Sequence, residues 1–296
     1  MSESPIQVKF WGVRGSIPTP GPETVRYGGN TACVEVRCGE TLIVLDAGSG
    51  IRLLGNALVD ELKGKPFHTH LLISHTHWDH IQGFPFFKPA YVPDKHVHLY
   101  GYSGVVESIR KAFWEQMQSA YFPVTMEEMS DLRFIEMQQK KFSINDVHID
   151  STFTNHPGGC AAYRLTYQGH SVVWLTDHEI YTAQVVRSKP NDCAAMDRAR
   201  MEDERMGKFV QGADLLIGDT QYTKEEYPQR VSWGHSCMDD MVHFAAEYGV
   251  KHLALFHHDP VHSDDQLDAM LAYARGLPEA AQMKIDSAYE GFQINC

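Results

Sequence analysis

The chain has 296 residues, of which 43% are hydrophobic, so it has ample material for a large buried core. Its formal charge of −12 at pH 7 disfavours a broad nucleic-acid-binding face, because such a face tracks phosphates with basic side chains. No apolar run approaches the roughly 20 residues of a membrane helix. No signal peptide is recognisable, and the six cysteines form no C-x-x-C pair. These features predict a cytoplasmic protein with reduced thiols and no membrane partner.

Hydrophobic patterning predicts β-rich structure first, then strands that alternate with helices. The predicted strands are 6–12, 32–38, 41–48, 67–74, 147–153, 161–167, 171–175, 213–219 and 251–258. The predicted helices are 51–62, 104–119, 197–210, 236–248 and 263–276. This order favours one α/β domain with two sheets covered by helices.

Local signals define several element boundaries. Gly39-Glu40 predicts a tight hairpin between the second and third strands. Ser236 with Asp239 is a capping-box pattern at the start of one late helix. The same pattern recurs at 263–266, where it predicts the start of the last helix.

The most informative segment is H-T-H-W-D-H at 75–80, directly after an apolar run. His75 and His77 are two residues apart, so in an extended segment both side chains face the same side. Asp79 and His80 follow at once and, after a turn, can reach a second cation. Imidazole and carboxylate ligands suit zinc, and also manganese or iron. A polar surface loop is the alternative, but four potential ligands at this spacing favour metal binding.

The spacing H-x-H-x-D-H resembles the metallo-β-lactamase superfamily. The resemblance implies an αββα sandwich of class α/β, with two mixed β-sheets flanked by helices. It also implies a single domain over residues 1–296, with helical insertions near 104–129 and 183–211. Three further ligands are then expected downstream, each at the end of a strand.

Three residues occupy such positions in the sequence, namely His156, Asp177 and His257. His258 is an alternative to His257, which we prefer because it comes first after its strand. His178, directly after Asp177, is likewise an alternative ligand.

The resemblance implies a binuclear centre of seven side chains. Two divalent cations, with zinc expected and manganese or iron as alternatives, are each held by three side chains, and an aspartate bridges the pair together with a hydroxide. The first cation takes His75, His77 and His156, the second takes Asp79, His80 and His257, and the bridge is Asp177. The formal charge of such a centre is about +1, so it attracts an anion although the protein is acidic.

Smaller features resemble the branch of the superfamily that contains ribonuclease Z and cyclic-nucleotide-phosphodiesterase-like hydrolases. They are Trp78 before the motif aspartate, the N-terminal segment F-W-G-V-R-G-S-I-P-T-P, and S-W-G-H-S at 232–236. In this branch a histidine at the position of His235 contacts the phosphate or protonates the leaving oxygen. Gly218 stands where the branch more often has a histidine, which implies one missing contact around the centre.

The resemblance therefore implies hydrolysis of a small phosphodiester, with a cyclic nucleotide as the expected substrate, by attack of the bridging hydroxide. Asp177 and His235 are the predicted catalytic residues, and the branch makes a homodimer an option. A ribonuclease Z-like nuclease, a lactonase or thioesterase, and a catalytically silent sensor are the alternatives. The charge of −12 argues against the nuclease, and His235 argues against the lactonase.

Three other side chains are candidates from their positions. Arg14 and Asn30 lie in glycine-bounded loops and are candidates for binding the phosphate or base, as is His235. A structural role for Arg14 and a turn role for Asn30 are the alternatives. Asp46 ends a strand as ligands elsewhere do, so we assign it to accept a hydrogen bond from a ligand imidazole and fix its tautomer.

Overall fold

A computed structural model describes residues 5–63, 65–102, 109–129 and 131–296. Within these ranges, two sheets of seven strands each are formed. The strands of the first sheet are β1 (Ile6–Gly12), β2 (Cys33–Cys38), β3 (Thr41–Leu45), β4 (Phe67–Leu72), β5 (Lys95–Tyr102), β6 (Leu132–Met137) and β14 (Gln293–Asn295). In space β14 lies at one edge, and β1 to β6 follow it in chain order.

The second sheet is built from the strands that come between β6 and β14 in the chain. They are β7 (Lys141–Ile144), β8 (Val147–Phe153), β9 (Ala161–Tyr167), β10 (His170–Leu175), β11 (Leu215–Asp219), β12 (His252–Phe256) and β13 (Lys284–Ser287). Their spatial order follows the chain from β7 at one edge to β13 at the other.

Strand direction brings the functional loops to one edge of each sheet. In the first sheet β3, β4, β5 and β6 are parallel neighbours. In the second sheet β10, β11, β12 and β13 are parallel neighbours, and β8 runs in their direction because β8 and β10 are both antiparallel to β9. Loops that leave the carboxyl ends of these strands therefore emerge on the same side of their sheet, where α/β proteins commonly bind ligands.

Helices cover the outer face of each sheet. They are α1 (Ile51–Glu61), α2 (Trp78–Ile81), α3 (Ile109–Gln116), α4 (Tyr181–Ser188), α5 (Cys193–Val210), α6 (Met238–Glu247) and α7 (Asp264–Gly276). Apolar side chains of α1 and α3 share a core with the first sheet, and those of α6 and α7 share one with the second. A third core lies between the sheets, where the rings of Trp174 and Phe256 are 4.9 Å apart.

This layer order confirms the αββα prediction. The predicted strand at 41–48 ends early, at Leu45, because Asp46 has a positive φ of 60° that extended strands do not adopt. Helix α5 lies within the second predicted insertion at 183–211, and α4 begins just before it. The helix predicted at 104–119 is present as α3, and its residues 104–108 lie outside the described residues.

The two capping-box predictions have different outcomes. Ser263 and Gln266 form the reciprocal hydrogen bonds of a capping box at the start of α7, as predicted. The Ser236 prediction is wrong, because Ser236 Oγ donates instead to the carbonyl of His178 and α6 begins after Cys237. All six cysteines are free thiols. In the ranges that the structure describes, no helix has the length and apolar character to cross a membrane.

Candidate metal centre

The H-T-H-W-D-H segment folds as a short loop that leads into α2. His75 and His77 lie in the extended part after β4, and His77 is the residue that precedes the helix, with ψ of 149°. Asp79 and His80 lie in the first turn of α2, and both are buried. The backbone changes from extended to helical within these six residues. The side chains of His75 and His77 and those of Asp79 and His80 therefore face different parts of the site.

The first ligand group combines this loop with the loops after β8 and β10. The Nδ1 atom of His77 lies 3.1 Å from the Nε2 atom of His156. The Oδ2 atom of Asp177 lies 3.5 Å from His75 Nε2 and 3.6 Å from His156 Nε2. One ligand atom from each of these four residues lies within 4.8 Å of every other, which is the spacing of ligands around a single cation.

The second ligand group uses the other oxygen of Asp177. Its Oδ1 atom lies 3.2 Å from His80 Nε2 and 3.3 Å from His257 Nε2. Asp79 Oδ2 lies 3.2 Å and 3.3 Å from the same two nitrogens. Asp177 therefore presents one carboxylate oxygen to each group, and the structure brings together all seven residues named from the sequence.

Two unpartnered ring nitrogens indicate that these residues fit metal ions. The Nε2 atoms of His75 and His80 are buried and have no hydrogen-bond partner among the described residues. Buried polar atoms in folded proteins are rarely left unpaired. Imidazole nitrogens and carboxylate oxygens directed at a shared point are the donor set of zinc and similar cations. The residues present therefore fit a pair of divalent cations.

Asp46 supports the ligands as the sequence suggested. Its Oδ2 atom accepts a hydrogen bond from His80 Nδ1 at 2.8 Å, which leaves Nε2 of that ring for a cation. The same carboxylate accepts hydrogen bonds from the backbone N–H and the hydroxyl of Ser74 at 2.6 and 2.7 Å. The Ser74 hydroxyl also lies 3.0 Å from His75 Nδ1, so the two ligand rings are positioned by one network.

Three residues at strand ends have left-handed backbone conformations. Asp46, Asp177 and His257 have φ values of 60°, 47° and 62°. Asp46 and His257 come directly after β3 and β12, and Asp177 follows β10 after one intervening residue, Thr176. Such conformations in residues other than glycine cost about 1–3 kcal/mol each and cluster at functional sites. Here they turn each side chain out of its strand and into the centre.

The contacts of the neighbouring histidines decide the two alternatives that the sequence left open. His257 faces the second ligand group, whereas His258 Nε2 donates to the backbone carbonyl of Ala288 at 2.8 Å. His178 accepts a hydrogen bond from the backbone N–H of Asn155 at its Nδ1 and lies outside both groups. The structure therefore places His257 and Asp177 in the centre.

His235 lies directly beside the ligands. Its ring stacks on that of His257 with centroids 4.9 Å apart, and the ring of His156 approaches it edge-on at 5.1 Å. Its Nδ1 donates to Asp219 Oδ2 at 2.7 Å. Burial alone would lower the pKa of His235, but the charge and hydrogen bond of Asp219 outweigh it and raise that pKa to about 9. Because Asp219 engages Nδ1, the Nε2 nitrogen is the one available to a substrate.

Sequence reasoning missed Asp219 and expected one contact to be absent at Gly218. Asp219 is the next residue and ends β11, where it accepts hydrogen bonds from His235 Nδ1 and from the backbone N–H of Gln221. The missing contact at Gly218 itself stays a prediction. The signal was visible in the sequence, since L-L-I-G-D ends an apolar run in a carboxylate much as T-L-I-V-L-D ends at Asp46.

Two more supporting residues were missed. Gln221 Oε1 accepts from His257 Nδ1 at 3.0 Å, which orients that ring as Asp46 orients another. Glu179 accepts from the backbone N–H groups of Ser232 and Gly234 at 2.8 and 3.2 Å, and so fixes the loop that carries His235. Neither has a local sequence signal, because a buried acceptor is recognised only once its distant donors are known.

The assignment of Arg14 to substrate binding is corrected. The side chain is fully buried and donates to the backbone carbonyls of Gly28, Asp259 and His262 at 2.9, 3.2 and 2.7 Å. Asp264 lies 3.8 Å from its guanidinium. Arg14 therefore joins the N-terminal loop to the segment before α7, and its side chain has no exposed surface.

Asn30 is also corrected to a structural role. Its Nδ2 donates to Glu290 Oε2 at 3.0 Å, and its Oδ1 accepts from the Ser49 hydroxyl at 3.0 Å. Both ends of the amide are thus engaged by the loops around it. The N-terminal loop contributes to the centre through its backbone instead, because the N–H of Ser16 donates to Asp79 Oδ2 at 2.7 Å.

Glycine is required next to that backbone contact. A Cβ atom on Gly15 would lie 2.5 Å from the ring of His257, closer than real contacts allow. The loop therefore packs directly on the second ligand group because residue 15 has no side chain.

Comparison with known proteins identifies the family of the chain. The family model of the beta-lactamase superfamily domain matches residues 41–258. Ribonuclease Z of Myxococcus xanthus (strain DK1622) is 24% identical over an alignment of 296 positions, which covers 90% of this chain and 92% of that protein.

Solved structures share the fold over nearly the whole chain. The metallo-beta-lactamase fold protein YhfI from Bacillus subtilis has a TM-score of 0.66 at 21% identity, with 99% of both chains covered. A diphosphatase from the PhnP family has a TM-score of 0.66 at 17% identity, with 98% of both chains covered. The matched family model covers the strands and loops that carry all seven clustered residues, and the chain belongs to the beta-lactamase superfamily of metal-dependent hydrolases.

Proposed function

We propose that the protein hydrolyses a small phosphodiester, with a cyclic nucleotide as the substrate. The observation that carries this proposal is the position of His235, held by Asp219 against the ligand rings of His156 and His257. A buried, carboxylate-oriented histidine beside a pair of cation sites is suited to donate a proton to a departing oxygen. A neutral lactone or lactam benefits less from the same set of charges.

Seven side chains would hold the two cations, with Asp177 shared between them. When bound, such a pair acidifies a water molecule and neutralises negative charge on a phosphoryl group. The chain's own contribution is to fix the ligands. Asp46 and Gln221 hold two ligand imidazoles by their Nδ1 atoms, and Thr176 Oγ1 donates to Asp177 Oδ1 at 2.7 Å.

The protonation of the two ring nitrogens of His235 supports its role as a proton donor. Asp219 keeps a proton on Nδ1, so a second proton on Nε2 makes the ring an imidazolium that can act as an acid. Bound cations beside the ring oppose that charge and bring its pKa closer to neutral pH, which is the range in which general acids are most effective.

Two exposed tryptophans at the rim support a substrate with an aromatic base. Trp78 is 80% exposed and Trp233 is 57% exposed, which is unusual for such large apolar side chains. Their chain neighbours His77 and Gly234 both contact His156, so the two tryptophans belong to loops that also contact this ligand. Stacking of one base on an aromatic ring contributes about 1–3 kcal/mol, and it would place the phosphodiester next to the centre.

Arg230 adds positive charge to this rim. Its guanidinium lies 4.8 Å from the centroid of the Trp233 ring. In a protein with a formal charge of −12, a cation next to Trp233 would attract an anionic substrate more strongly than the acidic parts of the surface do.

Replacement of Asp177 by alanine is expected to remove both cations and abolish hydrolysis, because one carboxylate serves both ligand groups. Metal content by mass spectrometry and hydrolysis of bis-p-nitrophenyl phosphate measure the two effects. Asp265→Ala is the matched control, since that carboxylate is exposed on α7, and it should leave both unchanged. Full metal content in Asp177→Ala would show that the carboxylate does not bridge.

Replacement of His235 by alanine should keep both cations yet slow turnover by about 10²–10⁴-fold, the usual scale for general acid catalysis. Turnover and metal content are measured on the same preparation, with the exposed His148 changed to alanine as the control. Loss of metal together with rate would mean that His235 is a ligand and not a proton donor.

A substrate panel tests the reaction class on protein of known metal content. The panel contains cyclic AMP, cyclic GMP, a tRNA precursor, a lactone and a thioester, and kcat/KM is measured for each. We expect a cyclic nucleotide to be the best substrate. Faster trimming of the tRNA precursor would favour a ribonuclease Z-like activity, and faster opening of the lactone or thioester would reject phosphodiester hydrolysis.

A further inference from the structure

A second cluster of histidines lies at the amino ends of β4 and β5. The two strands are parallel neighbours, and their register pairs His68 with His96 and His70 with His98. Because alternate residues of a strand face the same side of a sheet, all four imidazoles lie on one face. We call these four residues the histidine array.

The array is separate from the metal centre. The centre is built from loops at the carboxyl ends of strands, and β4 runs from Phe67 to Leu72 before it reaches His75. His68 therefore lies about 13 Å of strand away from the carboxyl end of β4. The array also plays no part in the reaction proposed above.

Ring positions within the array are close. His68 and His96 have ring centroids 4.5 Å apart, and those of His70 and His98 are 4.9 Å apart. Across the diagonal, His68 Nδ1 lies 3.1 Å from His98 Nε2. Two nitrogens bound to one tetrahedral zinc at about 2.0–2.1 Å would be about 3.4 Å apart, so a small adjustment of the rings would accommodate an ion.

Two rings of the array are held at their Nδ1 atoms by neighbouring polar groups. Ligand imidazoles in metal sites are oriented in the same way. His96 Nδ1 contacts Asp131 Oδ2 at 2.5 Å, and the other oxygen of that carboxylate pairs with Arg133 Nε at 3.3 Å. His70 Nδ1 lies 3.0 Å from the Tyr100 hydroxyl. In both rings the Nε2 nitrogen is left for another partner, and a carboxylate behind an imidazole makes it a better ligand.

We propose that the histidine array binds one divalent transition-metal ion of the zinc, copper or nickel class, with His68 and His98 as its central ligands and His96 next to them. Imidazole nitrogen is the preferred protein ligand for these three ions. The backbone hydrogen bonds between β4 and β5 fix the spacing of these side chains, so the rings need only a small adjustment to bind an ion.

The protonation state of the rings agrees with this site. Burial and the neighbouring imidazoles of His98 and His68 lower the pKa of His70 to about 4. Burial, followed by the neighbouring histidines and Arg133, also lowers the pKa of His68 and His98. Neutral imidazole is the form that binds metal, so a cation does not have to displace protons at pH 7.

Calorimetric titration with zinc tests the proposal on protein whose metal centre has first been loaded. The wild-type chain should take up about one further equivalent of zinc. The double variant His68→Gln, His98→Gln should not take it up, and its hydrolysis of the phosphodiester should equal that of the wild type. His243→Gln, which changes an exposed histidine on α6, is the matched control and should retain the uptake.

Two results would overturn the proposal. If the wild-type chain takes up no further equivalent of zinc, His68 and His98 share only a hydrogen bond. If the double variant takes up as much zinc as the wild type, the ion binds elsewhere. The array is also distinguishable from the catalytic centre, because uptake by the array should persist in Asp177→Ala. Loss of that equivalent in Asp177→Ala would assign it to the centre instead.

Discussion

The constraint on which the site depends is that one buried carboxylate, Asp177, must face two ligand groups at once. Its two oxygens lie 3.2–3.6 Å from four histidine nitrogens, two on each side. Burial of a carboxylate without partners is very costly, so this arrangement is stable only when positive charge surrounds it. The imidazoles of His257, His80 and His75 oppose the effect of burial and hold the pKa of Asp177 well below its usual range.

The two-sheet architecture makes this arrangement possible. Ligands come from the loop after β4 in the first sheet and from loops after β8, β10 and β12 in the second, so the sheets must pack face to face for the groups to meet. The core between them fixes that packing, and in it the ring of Phe10 from β1 lies 6.0 Å from the ring of Phe256 from β12. Carboxylates that end β3 and β11 then orient His80 and His235, so strand ends supply both the ligands and their supports.

The sequence was most informative where chemistry is local or follows a strand end. Four ligands lie within six residues, and His156, Asp177 and His257 each follow a strand, so their types and positions could be predicted. The structure shows that left-handed backbone at two of these strand ends directs the side chains inward. This conformation has no signature in an aspartate or a histidine read alone.

Predictions failed where the partner of a side chain lies far away in the chain. Arg14 looked available because its loop is rich in glycine, but its acceptors are up to 248 residues away. Ser236 matched a capping box, yet its hydroxyl donates to a carbonyl 58 residues away.

Strands β5 and β6 were not predicted either, although the alternation of buried and half-buried residues along β5 is regular. Its histidines and tyrosines hide the pattern, because they count as polar while their rings pack on neighbours.

Anomalous diffraction from crystals of the zinc-loaded protein tests the central claim most directly. We expect two strong peaks about 3.5–4 Å apart, one beside His75, His77 and His156 and the other beside Asp79, His80 and His257, with an oxygen of Asp177 next to each. A single peak, or two peaks of which only one contacts Asp177, would contradict the shared carboxylate on which the mechanism depends.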